Sequence, residues 1–474
     1  MSEKQENLEF ESQKTHGVKM LLGDPRKAVI KLSIPMIIAM SVQTIYNLAD
    51  AFWVALLGAN ELAATGFVFP LFFMVMALST GVGMGATSAL SRRIGSRDKK
   101  GADNVGIHAI ILGLAISVFI TIPLFFLAQQ IFSAMGAGDV VGPLSVSYGR
   151  IIALGFPFMF FANICNAILR GEGDTKRAMY AMVTGSVLNI VLDPIFIFGF
   201  DMGISGAALA TSLSIGVTCL PIIYWLAIKK DTFVSLRWSD FKFNQEILKD
   251  ILRVGVPASV SQLSMSIMMV VMNWIIVLVG STDGVAIYST GWRVASMALM
   301  PTMGIAAAVI SIGGATFGEK AYDKTNIVHL YGTKLAVIWE LAISVVVFVF
   351  AAQIAAVFTQ SADSARLFED LTLFLRIMSL SFAFIPFGML SGAMFQAIGR
   401  GGPALVVTLL RTIILAPIFA ILFAFVLGDG LVGIWWGIIF GNAIGPSLGF
   451  SWIRKYLNDL RFGRVEPMGW GQKR

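Results

Sequence analysis

Long apolar runs separated by short polar turns predict twelve helical spans, at 29–57, 62–91, 106–133, 144–169, 177–200, 203–228, 251–279, 284–315, 327–358, 367–397, 402–427 and 430–453. Each reaches the ~20 residues that cross a bilayer core. Several exceed it, so tilt, kinks or protruding ends are expected. The pattern predicts an all-α polytopic membrane protein. Residues 1–28 are polar and charged, with no apolar core leading to a small-residue cleavage site, so they are expected to be a cytoplasmic segment rather than a signal peptide.

The two halves of the pattern repeat. LSIPMIIAMSVQTIYNLADAFWVALLG, ending at Gly58, resembles VGVPASVSQLSMSIMMVVMNWIIVLVG, ending at Gly280, with a Pro-to-Gly spacing of 23 in both (Pro35 to Gly58, Pro257 to Gly280). LDPIF at 192–196 matches LAPIF at 415–419, and GISG at 203–206 matches GLVG at 430–433. Six spans per half make the repeat parallel, with a pseudo-two-fold axis along the membrane normal, as in some secondary transporters. The expected units are a first lobe at 29–228, a charged amphipathic linker at 229–250 lying on the cytoplasmic surface, a second lobe at 251–453 and a cytoplasmic tail at 454–474.

Charge then orients the spans. Alternate turns (92–104, 170–177, 229–253, 316–326 and 400) carry seventeen Lys and Arg residues. Six more lie through Lys31 and six from Arg454 onwards, twenty-nine of the thirty-five in all. The opposite turns contain only Arg366. The asymmetry predicts both termini in the cytoplasm and a cell-membrane location. Composition agrees: 57% hydrophobic and 13% charged residues, with a mean hydropathy of +0.79, fit no soluble class. The net charge of +7 follows the membrane turns, which argues against nucleic-acid binding. Cys165 and Cys219 fall in apolar runs as small buried hydrophobes. His16, His108 and His329 are scattered, giving no metal spacing. Gly81, Gly83 and Gly85 are close-packing residues within a span, since no strand precedes them and no P-loop lysine follows. No enzyme motif is present.

Two acids stand out. Asp50 and Asp193 lie inside apolar runs, where a carboxylate is costly unless it is paired, protonated or facing water. In the repeat they align with Met272 and Ala416, so the scaffold does not require them. Asp50 and Asp193 each sit seven residues from the outer end of a span, and Thr211 eight residues into the next. At 1.5 Å per residue all three lie about 10–12 Å deep. Tyr46 shares a helix face with Asp50, and Asn189 with Asp193. Burial disfavours the charged carboxylate, which suits reversible proton binding. Alternatively, Asp193, Asn189, Thr211 and a backbone carbonyl form an oxygen cage for Na⁺. The residues leave the two ions open. Pro35, interior to the first span, is a candidate hinge. In the second lobe Arg293, Lys334, Glu340, Arg376 and Arg411 are read chiefly as structural or snorkelling charges.

The 6+6 lobes, the YNLAD segment after a span-1 proline, the NxxxDP of span 5 and the GISGAALAT opening of span 6 resemble the MATE (multidrug and toxic compound extrusion) family over residues 25–455. With membrane acids in the first lobe, the chain looks like the prokaryotic DinF-type branch. The resemblance implies a V-shaped, alternating-access transporter that exports amphipathic organic cations or drugs in antiport with H⁺ or Na⁺ and uses no cofactor beyond the coupling ion. It implies an ion site of Asp50, Asp193, Asn189 and Thr211 with Tyr148 nearby, and a drug cavity of Gln43, Tyr46, Asn163, Asn166, Met182 and Ser186. Nothing in the sequence requires more than a monomer. The alternative is a flippase or exporter for a lipid-linked or polysaccharide precursor, which would favour a strongly cationic central cavity.

Overall fold

The computed structural model describes residues 10–11, 13–229, 231–236, 241–360 and 364–466, and they contain helices and no strands. A short helix, α1 (His16–Leu22), precedes the first lobe. That lobe comprises α2 (Pro25–Ala55), α3 (Ala59–Gly95), α4 (Lys99–Ala134), α5 (Val141–Gly171), α6 (Thr175–Pro194) and α7 (Gly203–Ile223). Three of these, α2, α4 and α6, start at the basic turns. Each is N-capped by an acid: Asp24 accepts from the Arg26 amide at 2.8 Å, Asp98 from Gly101 at 2.8 Å and Asp174 from Arg177 at 3.2 Å. A carboxylate there satisfies the free amides and opposes the positive end of the helix dipole. The helices α3, α5 and α7, which begin at the opposite end, have no side-chain cap.

The second lobe departs from the expected spans in three places. Helical hydrogen bonding continues through α8 (Gln245–Ala298), which covers the end of the expected linker, the seventh span and much of the eighth. A straight helix of that length would run about 80 Å. Instead the chain folds back: a Cβ built on Gly284 would lie 2.8 Å from the Ile276 side chain, eight residues earlier. Both Gly280 and Gly284 abut Leu431, so small residues let the turn tuck against a neighbour. The eighth span then finishes as α9 (Met300–Gly318). The ninth is α10 (Tyr322–Val349) plus α11 (Ala351–Phe358). The tenth is two pieces, α12 (Phe368–Ser379) and α13 (Ile385–Ala397). At its break the Ser379 and Ser381 hydroxyls donate to the carbonyls of Arg376 and Met378, and Pro386 removes a backbone donor. Eleven helical stretches among the described residues are therefore long and apolar enough to span a membrane singly. The remaining crossing uses the two pieces. The chain closes with α14 (Gly401–Leu409), α15 (Ala416–Ile421) and α16 (Gly430–Arg461), the last running eight residues into the expected tail.

The repeat seen in sequence is reproduced in backbone detail. A π-helical segment follows α6 (Ile195–Gly199), and another follows α15 (Leu422–Val426). The next helix begins at Gly203 with φ 55° in one lobe and at Gly430 with φ 57° in the other, a conformation that favours glycine. Three residues on, Gly206 packs against the Phe196 carbonyl as Gly433 does against Phe423.

The lobes meet through α2 and α3 on one side and α8 and α9 on the other. Gly81 and Gly85 lie against the α8 backbone at Gly255 and Ile251, Gly95 against the Ala315 carbonyl, and Gly304 against Ile37. Gly83 packs instead on Ala167 of α5. Small residues let the helix backbones approach closely. This contact runs from the basic end as far as Thr44 Oγ1, 3.2 Å from Met300 Sδ. Beyond that pair no hydrogen bond or ion pair joins the lobes among the described residues.

Candidate functional site

A cavity of about 760 Å³ opens inside the first lobe, walled by α2, α3, α5, α6 and α7. Helical periodicity explains each wall. Gln43, Tyr46, Asn47, Asp50 and Val54 follow one face of α2, and Phe69, Phe72, Phe73 and Met76 one face of α3. Tyr148, Ile152, Met159, Asn163 and Asn166 line α5; Met182, Ser186 and Asn189 line α6; Thr211, Ser214 and Thr218 line α7. The floor is polar and the α3 side aromatic.

The wall is held by hydrogen bonds from behind. Asn163 Nδ2 donates to Ser79 Oγ at 3.1 Å, joining α5 to α3, and Asn166 Nδ2 to the Ala162 carbonyl at 3.0 Å. At the deep end, Asn189 Nδ2 donates to Asp193 Oδ1 at 3.2 Å and to Thr211 Oγ1 at 3.3 Å, bridging α6 and α7. Tyr46 interacts with the Thr211 side chain and lies near both carboxylates. Asp193 is fully buried behind Asn189 and is not itself in the cavity wall. Asp50 Oδ1, Asn189 Oδ1 and Asp193 Oδ2 are buried acceptors with no protein donor among the described residues. Leaving such groups unpaired is costly. A proton or a small oxygen-loving cation would satisfy them, so the donor chemistry fits either ion.

Every residue singled out in the sequence for the ion site and the drug cavity is therefore in one place, with Asp193 one layer behind. Asn163 and Asn166, which the depth count did not reach, lie on the same wall. Ser214, Thr218, Asn47, Thr65 and the α3 aromatics were not anticipated. The signal for the first two was present: they continue from Thr211 at i+3 and i+7. The α3 stripe was legible as a helical face, but nothing marked which way it points.

The corresponding interior of the second lobe is filled. Met272, which aligns with Asp50, is fully buried, and Ala416, which aligns with Asp193, is 1% exposed. Tyr288 stacks on Trp435 with ring centroids 6.1 Å apart, and Phe374 meets the same indole edge-on at 4.6 Å. Glu340, also fully buried, accepts from Thr302 Oγ1 at 2.6 Å, linking α10 to α9.

A family model described as MatE matches residues 35–195 and 257–422. The multidrug export protein MepA of Staphylococcus saprophyticus is 28% identical over 421 residues, covering 88% of this chain and 91% of that protein. Among solved structures, MATE in complex with MaL6 is 46% identical with a TM-score of 0.92, covering 94% of this chain and 100% of that one. The outward-facing conformation of a multidrug resistance MATE family transporter of the MOP superfamily is also 46% identical, with a TM-score of 0.91 and coverage of 94% and 99%. A multi-pass helical protein whose two matched segments fall one in each lobe, the chain belongs to the MatE family, whose members are transporters and not enzymes.

Proposed function

We propose that the protein exports amphipathic organic cations or drugs across the cell membrane in antiport with H⁺ or Na⁺, alternating between states open to either side. One observation carries the reading: an aromatic and polar cavity of about 760 Å³ has Asp50 in its wall and the Asn189–Asp193–Thr211 cluster at its deep end. An apolar, aromatic wall suits a flat hydrophobic body, and a carboxylate suits its positive charge. Because the two carboxylates lie close enough to influence each other, an ion arriving at one changes the field at the other. Binding of the ion and binding of the drug then compete for the same charge, which is the physical basis of exchange.

Interlobe packing runs from the basic end to Thr44 and Met300, and beyond that pair no hydrogen bond or ion pair joins the lobes among the described residues. With the basic turns cytoplasmic, this is the outward-facing state. Solved relatives include one MATE in a straight and one in a bent conformation. In this chain Pro35, buried inside α2, is our candidate for the hinge that couples the ion site to lobe movement.

The test is ethidium transport in proteoliposomes, wild type beside Asp50→Asn, driven separately by proton and sodium gradients. Wild-type transport under one gradient, lost in the mutant with folding retained, is the expected result. The repeat supports retained folding, because the scaffold carries Met272 at the matching position. Gradient-driven export by Asp50→Asn at the wild-type rate would sink the coupling role.

A further inference from the structure

Arg293 sits near the middle of the membrane in the returning half of α8, exposed, and its guanidinium has no ion-pair or hydrogen-bond partner among the described residues. Its direction follows from the helix it belongs to. Gly291, on the opposite face, packs on Phe374, and Tyr288, Ala295 and Ala298 are buried in the second lobe's core. Counting forward from Arg293 at helical spacing gives Met297, Met300 and Gly304 on one stripe. Gly304 touches Ile37 and Met300 touches Thr44, both on α2 of the first lobe. Met297 and Arg293 continue that stripe past the last interlobe hydrogen bond among the described residues. Arg293 therefore looks across the cleft, and not into lipid. Thr290 and Ser296 flank it on the same helix, Ser296 Oγ donating back to the Trp292 carbonyl at 2.5 Å.

Depth follows from the same contact. The two helices run antiparallel. Arg293 is seven residues beyond Met300, about 10 Å, and Asp50 is six residues beyond Thr44, about 9 Å. A guanidinium on the cleft side of one lobe and a carboxylate in the cavity of the other thus lie at one level, Asp50 about 120° round α2 from the Thr44 face.

We propose that Arg293 is a specificity-determining residue of the cargo site, receiving the carboxylate or phosphate of a zwitterionic amphiphile whose cationic, aromatic body occupies the first-lobe cavity. The inference rests on the drug-site reading above and extends it from monocations to zwitterions. A guanidinium offers a planar fork of donors that a carboxylate or phosphate can engage with two hydrogen bonds. The same charge disfavours a second positive group at that end of the cargo, so it selects as well as binds.

The test uses two dyes that share one fluorophore. Rhodamine 110 carries a free carboxylate, and rhodamine 123 is its methyl ester. Binding to the purified full-length protein in nanodiscs is read by fluorescence anisotropy. Arg293→Gln should weaken rhodamine 110 about tenfold, the scale of one charge-assisted hydrogen bond in a wet cleft. Rhodamine 123 should change by less than twofold or bind more tightly. Arg293→Lys should retain part of the preference. A variant that shifts both dyes equally, or neither, while wild type binds them overturns the inference alone. Wild type that binds neither dye counts against the drug-site reading and removes this inference with it. A phosphocholine detergent competing against rhodamine 110 in wild type but not in Arg293→Gln would assign the site to lipid-like phosphates as well as to carboxylates. Equal competition in both would restrict it to carboxylates.

Discussion

Asp250→Asn should loosen the basic end of the molecule. Asp250 lies in the second turn of α8, at the start of the second lobe, and holds two arginines of the first. Arg92 Nη2 is 2.5 Å from Oδ1 and Arg93 Nη1 is 3.0 Å from Oδ2. The Arg92 side chain is 0% exposed and that of Asp250 11%. Arg92 Nη1 also donates to Ser88 Oγ and, at 3.2 Å, to the Ala397 carbonyl at the end of α13, while Ser88 Oγ donates to the Gln396 carbonyl. One guanidinium thus ties α3 to two helices of the other lobe. Removing one member of a buried charge pair typically costs about 3–5 kcal/mol, because the partner is left buried and unpaired. Asparagine keeps one hydrogen bond, about 1 kcal/mol, and Asp250 is not wholly buried. A net loss of about 2 kcal/mol remains. It falls on the closed basic end only, since parting the lobes there would hydrate both arginines.

Two kcal/mol is about thirtyfold in the ratio of closed to open, so an open state at about 1% would rise to about a quarter of the molecules. Spin labels at Lys100 and Lys455, exposed on opposite lobes at this end, report the separation by double electron–electron resonance. A second, longer distance should appear in Asp250→Asn and be absent from wild type. An unchanged distance distribution accompanied by a lower melting temperature would refute the latch, leaving the pair as static packing.

Two further outcomes follow from the structure. Glu172, fully buried just past the end of α5, accepts from the Val234 amide at 2.9 Å, and burial pushes its carboxyl up to about 8 against that hydrogen bond. A raised acid holds its proton better when folded, so stability is full below the unfolded value near 4.5 and is lost as pH rises through about 8. Melting curves from pH 5 to 8 should fall for wild type, by about 3–4 kcal/mol overall, and stay flatter for Glu172→Gln; parallel curves would contradict the assignment. Trp435→Ala should cost about 3–5 kcal/mol by emptying the second-lobe core, yet leave ethidium affinity within twofold, because the cavity is in the other lobe. A tight-folding variant with abolished binding would show that the lobes are not energetically separate.

The scaffold was legible in the sequence because a bilayer reduces it to length and polarity. At the basic turns the helices begin ahead of the expected spans, by two residues at Thr175, four at Pro25 and seven at Lys99, because Asp174, Asp24 and Asp98 cap polar first turns that precede the apolar run. The returns were harder. At Ser281 to Asp283 helical hydrogen bonding persists through a reversal, and polarity alone suggests a loop. In 379–386 the serines and Pro386 break a run whose hydropathy stays high. For the site, periodicity on α2, α6 and α7 placed Tyr46, Asp50, Asn189, Asp193 and Thr211 on definite faces, and shared depth grouped them. That Asp193 stands behind Asn189 instead of beside Asp50 in the wall depends on the rotation of α6 about its axis. So does the inward turn of the α3 aromatics. Rotation is set by neighbours such as Ser79 and Ala167, which sequence spacing does not identify.

The two lobes share a scaffold and differ in what fills it, and the energetics explain why the difference must be built from side chains. An empty apolar cavity costs about 24 cal/mol per Å³. Applied to about 760 Å³, that is roughly 18 kcal/mol, more than the 5–15 kcal/mol that keeps a typical domain folded. A dry hollow of that size would not survive. The first lobe escapes the cost by lining its hollow with Gln43, Asn47, Asp50, Asn163, Asn166 and Asn189, groups that water or a polar cargo can satisfy. The second lobe puts methionine where the first has Asp50, and Met268, Met272, Tyr288, Phe374 and Trp435 occupy the space. A polar lining with no filling and an apolar filling with no lining are both stable; a mixture is not. This is why the acids and amides of the first lobe form a set. Replacing one polar wall group leaves a hydrated cavity with a changed affinity, whereas replacing most of them together would force the lobe to collapse onto its own aromatics.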